Sequence, residues 1–280
     1  MAYGAICLIW GSTYLAIKVG LESFEPLFFA GVRYALATML ALAVVRWQGV
    51  SLSGPLRHWW RALVVGVLFI GICNGLVFWA ETRLDSGFTA LLITANPLWA
   101  ALLTPFFSGE RGLDGRGWLG VGVGLAGSIL ILNPFRIGAF ELVAALGVLG
   151  SVVLWSATSL WVRGFRDTYH PLALTVAQMA SGAAVLLLAS LVQGKALAGP
   201  VTWRAGMALA FLVVFGSVVA FLAYFYLLQH WEATRVATST YINPVVAVAL
   251  GAVLLEEVIT WNMVVGGAVV LLGVTLVLRR

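Results

Sequence analysis

The chain has 280 residues, 62% of them hydrophobic and 10% charged, with a mean hydropathy of +1.02. An ordinary soluble domain carries about 25% charged residues, so the composition excludes one and describes a single membrane domain. The sequence pI near 9.6 is no argument for nucleic acid, because Lys and Arg sit in the short gaps between apolar runs, where they set topology.

Ten apolar segments follow one another: 2–19, 26–46, 61–80, 86–107, 116–132, 140–162, 171–192, 204–228, 234–255 and 260–278. Each is long and continuous, as a spanning helix of about 20 residues requires. A barrel strand would need about 10 residues of alternating character. The expected class is an all-α integral membrane protein of ten transmembrane helices.

The first segment could pass for a signal peptide but has no basic start. Its cleavage would also remove the partner of the segment around Trp155, so it reads as the first span, with room for a few native residues before it. It carries Trp10-Gly11-Ser12-Thr13, Tyr14 and, at its end, Lys18. Pro26 opens the second segment, where its missing N–H costs little. Arg33 lies about two turns further in, measured at 3.6 residues per turn. A charge at membrane depth is a functional candidate. Arg33 could attract a substrate carboxylate, pair with Glu22 or Glu25, or snorkel to the interface with a structural partner.

Trp79 ends the third segment, and Asp85 precedes the fourth. Within the fourth, Asn96-Pro97 falls well inside the apolar run, followed by Trp99. A proline there frees a backbone carbonyl at membrane depth, which needs protein or a wet cavity beside it. Glu110 follows in the loop. The fifth segment contains Gly122-Val-Gly124-Leu-Ala-Gly127, which matches a dinucleotide pattern by letter only. No strand precedes it. With Gly117 and Gly120 it reads as a close-packing helix face, as do Gly266, Gly267 and Gly273 in the tenth segment.

The second half repeats the first. Trp155-Ser156-Ala157-Thr158, Arg163, Pro171 and Gln178 match Trp10-Gly11-Ser12-Thr13, Lys18, Pro26 and Arg33 at one constant offset. Glu232, Asn243-Pro244, Glu257 and Gly267 match Asp85, Asn96-Pro97, Glu110 and Gly120 at a slightly larger one. The units are therefore residues 1–133 and 139–280. Five spans each is an odd number, so copies joined in series lie upside down relative to each other. An inverted repeat with a broken-helix signal in matching places is the best sequence pointer to a transporter.

Orientation comes from the basic residues. Arg46, Arg57, Arg61, Arg111, Arg116, Arg163, Arg166, Arg235, Arg279 and Arg280 fall on one side; Lys18, Arg83, Arg136, Lys195 and Arg204 fall on the other. The positive-inside rule puts the first side, and with it both termini, in the cytoplasm of a multi-pass inner (plasma) membrane protein.

Trp10-Gly-Ser-Thr-Tyr…Lys18 and Asp85…Ala90…Asn96-Pro97…Glu110, repeated as Glu232…Ala237…Asn243-Pro244…Glu257, resemble the EamA domain of the drug/metabolite transporter superfamily. Two tandem units cover essentially the whole chain. The abundance of aromatics makes it similar to YddG-type exporters of aromatic and neutral amino acids. The resemblance implies alternating access around a central cavity, and outward transport.

The candidate cavity residues are Trp10, Tyr14, Trp79, Asn96, Trp99, Trp155, Ser159, Tyr224, Tyr241 and Asn243, with Pro97 and Pro244 as hinges. Rings there would suit apolar or aromatic solutes. Asn96 and Asn243 either bind a polar head or cap carbonyls freed by their own prolines. Lys18 and Arg163 either gate the cavity through ion pairs or anchor at the interface, and Glu110 and Glu257 are expected to cap helices. Trp47, Trp59, Trp60, Trp118, Trp203, Trp231 and Trp261 read as interfacial belts.

Every Asp, Glu and His falls at a segment end or in a loop. A proton-driven carrier usually keeps one inside the bundle, so gradient-driven transport without proton coupling is expected. Cys7 and Cys73 read as buried apolar residues, not a disulfide. No residue set reads as a metal site, a catalytic constellation or a cofactor site. A small molecule and the lipid bilayer are the expected partners, and the protein is expected to be a monomer or weak homo-oligomer. Open alternatives are a carboxylate, sugar or drug as substrate, a membrane-embedded enzyme, or a non-transporting scaffold.

Overall fold

The computed structural model describes residues 2–52, 56–108, 113–133, 138–163, 171–230 and 239–278, and its regular elements there are helices. They are α1 (Ala2–Gly20), α2 (Pro26–Trp47), α3 (residues 56–80), α4 (Ser86–Ile93), α5 (Asn96–Ser108), α6 (Gly115–Leu132), α7 (Ala139–Arg163), α8 (Pro171–Gln193), α9 (residues 203–230), α10 (Ser239–Leu254) and α11 (Trp261–Leu278). Eight stretches are helical, long and apolar enough to cross a membrane, one of them Ser86–Phe107, which joins α4 to α5. Two shorter apolar helices, Tyr241–Leu254 and Trp261–Val277, complete the bundle.

The prolines act as their local chemistry dictates. Pro26 is the first residue of α2 behind an extended Glu25, and Pro171 begins α8. The expected break in the fourth segment is real, but it falls at Thr94 and Ala95, just before Asn96-Pro97. There the next helix starts with its proline in the first turn, where no hydrogen bond is lost. Pro244 behaves otherwise and lies inside the unbroken α10.

Two irregularities have no counterpart in the hydrophobic pattern. Val67–Asn74 in α3 and Leu212–Val219 in α9 are wound as π-helix. They are repeat mates, at the same offset that relates Trp10 to Trp155. A π segment widens the turn and loosens the hold on backbone carbonyls, and such segments are common at functional sites.

Glycines set the closest approach. A Cβ on Gly127 of α6 would lie 2.6 Å from the Val270 nitrogen and 2.8 Å from the Gly266 oxygen. One on Gly120 would lie 2.7 Å from the Gly273 oxygen. The α6/α11 pair is thus packed backbone to backbone within one chain, as the glycine stripes require. Elsewhere α1 packs on α9 and α10, α7 on α3 and α5, α2 on α8, and α4 on α10. One apolar core joins α1, α2, α3, α8 and α9 around Phe29, Phe78 and Leu186. A second joins α4 to α7 with α11 around Leu92, Leu98 and Val270. Trp47, Trp60, Trp118, Trp203 and Trp261 are exposed on the bundle's outside, as belt residues would be.

The connections at one end of the bundle are tied together. The Glu25 N–H donates to the Ala196 oxygen at 3.1 Å, and the Ser23 hydroxyl donates to the Pro200 oxygen at 2.9 Å. The amide of Asn262 donates to the Leu130 oxygen at 3.3 Å.

Candidate functional site

Each Asn-Pro segment seats on the first helix of the other half. The Ser156 hydroxyl on α7 donates to Asn96 Oδ1 at 2.7 Å and lies 3.2 Å from the Asn96 carbonyl oxygen. The repeat mate of Ser156 is Gly11 on α1. A Cβ there would lie 2.9 Å from the Asn243 carbonyl oxygen. The buried Asn243 amide nitrogen faces two carbonyls, Cys7 at 3.2 Å and Ser239 at 2.9 Å. Both asparagines therefore bond to protein, and both sit where the two halves meet.

The aromatic candidates divide. Trp10 meets Phe221 edge-on at 6.0 Å and Tyr224 at 5.4 Å between ring centroids. Its mate Trp155 stacks on Phe69, inside the π segment of α3, at 4.2 Å. Tyr14, Ser159 and Tyr241 are half-buried, and the Trp99 ring nitrogen is buried with no hydrogen-bond partner among the described residues. Trp79 lies against Gly147 of α7. It stacks under Arg83, 5.0 Å from the guanidinium carbon, and lines a groove of about 830 Å³ with Leu27, Ile72, Leu76, Arg83 and Lys195. That groove lies beside the tied connections, with Gln193, Lys195 and Ala198 of the second half facing α2 and α3 of the first.

Arg33 is held by protein groups. It is 4% exposed, so it does not snorkel. Its Nε donates to the Ser217 hydroxyl at 3.2 Å and its Nη2 to the Gly216 oxygen at 3.4 Å, both in the π segment of α9. Its guanidinium lies 4.7 Å from the Tyr34 ring centroid and 5.8 Å from that of Phe78. The Tyr34 hydroxyl donates to Asn74 Oδ1 at 3.0 Å, in the other π segment. Neighbouring residues of α2 thus grip both widened turns.

A charged cluster closes the tied end. Lys18 Nζ donates to the Glu81 oxygen at 2.9 Å and the Leu84 oxygen at 2.6 Å, placing a cation on the carbonyl-rich C-terminal end of α3. Glu81 itself is fully buried. Neither of its carboxylate oxygens has a hydrogen-bond partner among the described residues. The position is a helix end, as the sequence says, but Lys18 and the neighbouring connections cover it. Burial holds the Glu81 carboxyl well above the usual carboxylate range; Lys18 pulls it back, Glu257 adds to the rise and Arg33 opposes it. Asp85 is raised by burial and by Glu257, against Lys18. A hint lay in the sequence: an acid directly after a long apolar run, with Lys18 available as counter-charge.

Glu257 caps a helix, as expected, and it does so across the halves. Its carboxylate accepts from the Ser86 N–H at 2.8 Å, the Ser86 hydroxyl at 3.0 Å and the Gly87 N–H at 3.1 Å. That satisfies the start of α4, whose own N-cap, Asp85, makes no side-chain cap bond. The turn that aims it is specific: Glu256 is left-handed at φ 57°, and the Glu257 N–H reaches back to the Gly251 oxygen at 3.1 Å. Glu110, Glu232, Trp231 and the Arg163 side chain lie outside the described residues.

These features define a polytopic helical membrane protein whose two halves meet at matched Asn-Pro sites, the helix broken before the first and continuous through the second. The chain belongs to the EamA-like transporter family, whose model matches it twice, over residues 3–133 and 142–279. It is 33% identical over 249 residues to the "uncharacterized inner membrane transporter YedA" of Escherichia coli strain K12, covering 88% of this chain and 79% of that one. It is 23% identical to the "uncharacterized transporter YoaV" of Bacillus subtilis strain 168, covering 96% of this chain and 93% of the relative. A solved crystal structure superposes at a TM-score of 0.69 and 19% identity over 99% of this chain and 95% of its own, a likeness of fold alone.

Proposed function

We propose that the chain is an inner-membrane permease of ten spans, in two oppositely oriented five-helix units over 1–133 and 139–280. It carries neutral and aromatic amino acids outward by alternating access, driven by the substrate's own gradient. The observation that carries this reading is the reciprocal seating of the Asn-Pro segments: Asn96 on Ser156 of α7, Asn243 beside Gly11 of α1. A twofold relation between the halves supplies that pattern. The helix pairs support it too, since exchanging the halves turns α1 on α10 into α7 on α5, and α3 on α8 into α9 on α2. Rings of Trp10, Trp155, Tyr224 and Tyr241 near this seam favour solutes with apolar or aromatic side chains.

The test is transport by the purified protein in proteoliposomes, with a panel of labelled amino acids, carboxylates and sugars, with and without imposed ion gradients. Labelled phenylalanine moving down its gradient, and not the sugars, supports the reading. Accumulation driven by a proton gradient alone overturns the gradient-driven part.

A further inference from the structure

Five ionisable groups meet at the closed end of the bundle, one from each part that packs there. Lys18 comes from the end of α1, Arg33 from α2, Glu81 from the end of α3, Asp85 from the start of α4, and Glu257 from the connection before α11. The phenol of Tyr14, on α1, also faces Glu81. Arg83 turns away to Trp79 and the Thr82 hydroxyl. Two cations face three carboxylates, and a carboxyl sealed from water without a hydrogen-bond donor favours its protonated form.

The hydrogen bonds say which. Glu257 accepts from two N–H groups and a hydroxyl, all of which favour its ionised form. Asp85 stands exposed beside it, where water can solvate its charge. Glu81 is fully buried and receives no donor from the described residues. Lys18, its nearest counter-charge, spends its N–H groups on backbone oxygens instead. The site is also one-sided, because the repeat places no carboxylate opposite Glu81 at either offset, Tyr226 or Leu228, and Gln178 opposite Arg33.

We propose that Glu81 is a proton-binding site, occupied when this end of the bundle is closed, and that loss of the proton releases the end to open. The logic is linkage. Opening admits water, which restores an ordinary carboxylate, so the closed form binds one proton more than the open form. Acid on this side favours closure and alkali favours opening. A latch of this kind sets access by the pH of one compartment and moves no proton across the membrane. It rests on the alternating-access reading for its role, but its chemistry can be measured without substrate.

The experiment follows the full-length protein in lipid nanodiscs as pH is raised, by two measurements. Infrared spectroscopy follows the C=O stretch of a buried protonated carboxyl. Hydrogen exchange, corrected for intrinsic rates, follows protection of residues 20–25, 81–87 and 255–260. In the wild type the carboxyl band and the protection of all three segments should fall together with one midpoint above the usual carboxylate range. The α6/α11 pair should stay protected throughout. Glu81→Gln should lack the band and keep the segments protected at every pH, and Glu81→Asp should restore a pH dependence. A wild type whose protection does not change with pH, or a band that survives in Glu81→Gln, overturns the proposal. Failure of labelled phenylalanine to cross proteoliposomes, with these titrations intact, would sink the transport reading instead.

Discussion

At the residue scale, burial and hydrogen bonding decide what each polar side chain does. Glu81 makes the sharpest case, because its raised carboxyl has a defined consequence for stability. The folded chain binds more protons than the unfolded chain between the ordinary and the raised value, so stability falls as pH rises through that window. Glu81→Gln should therefore be more thermostable than wild type at alkaline pH. The two should converge below about pH 4, where the unfolded carboxyl is protonated as well. Thermal unfolding in detergent across the pH range reads this directly. The asparagines give a second test. Asn96→Leu and Asn243→Leu should impair transport more than they impair expression, and equal loss of both would assign them to folding alone. Their positions were legible because each stands beside a proline at membrane depth. Their partners were not, since the Ser156 bond joins residues that no periodicity relates. Arg33 was legible as unusual, yet its contacts with Gly216 and Ser217 depend on a backbone widening that the apolar pattern of α9 conceals.

At the element scale, the glycine stripes make a contrasting pair of predictions. Gly127→Ala drives a methyl into the backbone of α11, and overpacking of that sort costs about 1–3 kcal/mol. Gly122→Ala, one turn away on α6, meets nothing within 4 Å and should be neutral or slightly stabilising through helix propensity. Thermal midpoints of the two variants, measured side by side, check both. Eight spans were readable because their apolar runs announced themselves by length, and the α6/α11 contact because glycine spacing has few other uses in lipid. The break before Asn96 was anticipated through Pro97. The matching proline in α10 did not break its helix, so proline alone underdetermines a hinge. The π segments left no trace in composition, because an extra residue in a uniformly apolar helix changes neither its length class nor its polarity.

At the scale of the whole molecule, the distribution of basic residues and the tied connections make one prediction about topology. Reporter fusions at the C-terminus and after Gln48 should both be cytoplasmic, and a fusion within residues 194–199 should lie outside; any other pattern reverses or breaks the proposed orientation. The duplication could be read from Trp10 and Trp155, and from the two Asn-Pro pairs, because those residues are rare enough to align by eye. How the copies embrace could not, since helix contacts are made by faces that look alike in an apolar sequence. The paired π segments reach further back than any of this. Widening a helical turn takes an inserted residue, and the same insertion arising twice by chance, at equivalent places, is an improbable history. The simpler history is that one ancestral gene for a single five-helix unit already carried it before doubling. On the proposed antiparallel reading, copies of that ancestor would then have paired in opposite directions across the bilayer, and fusion would have made permanent a partnership between separate chains.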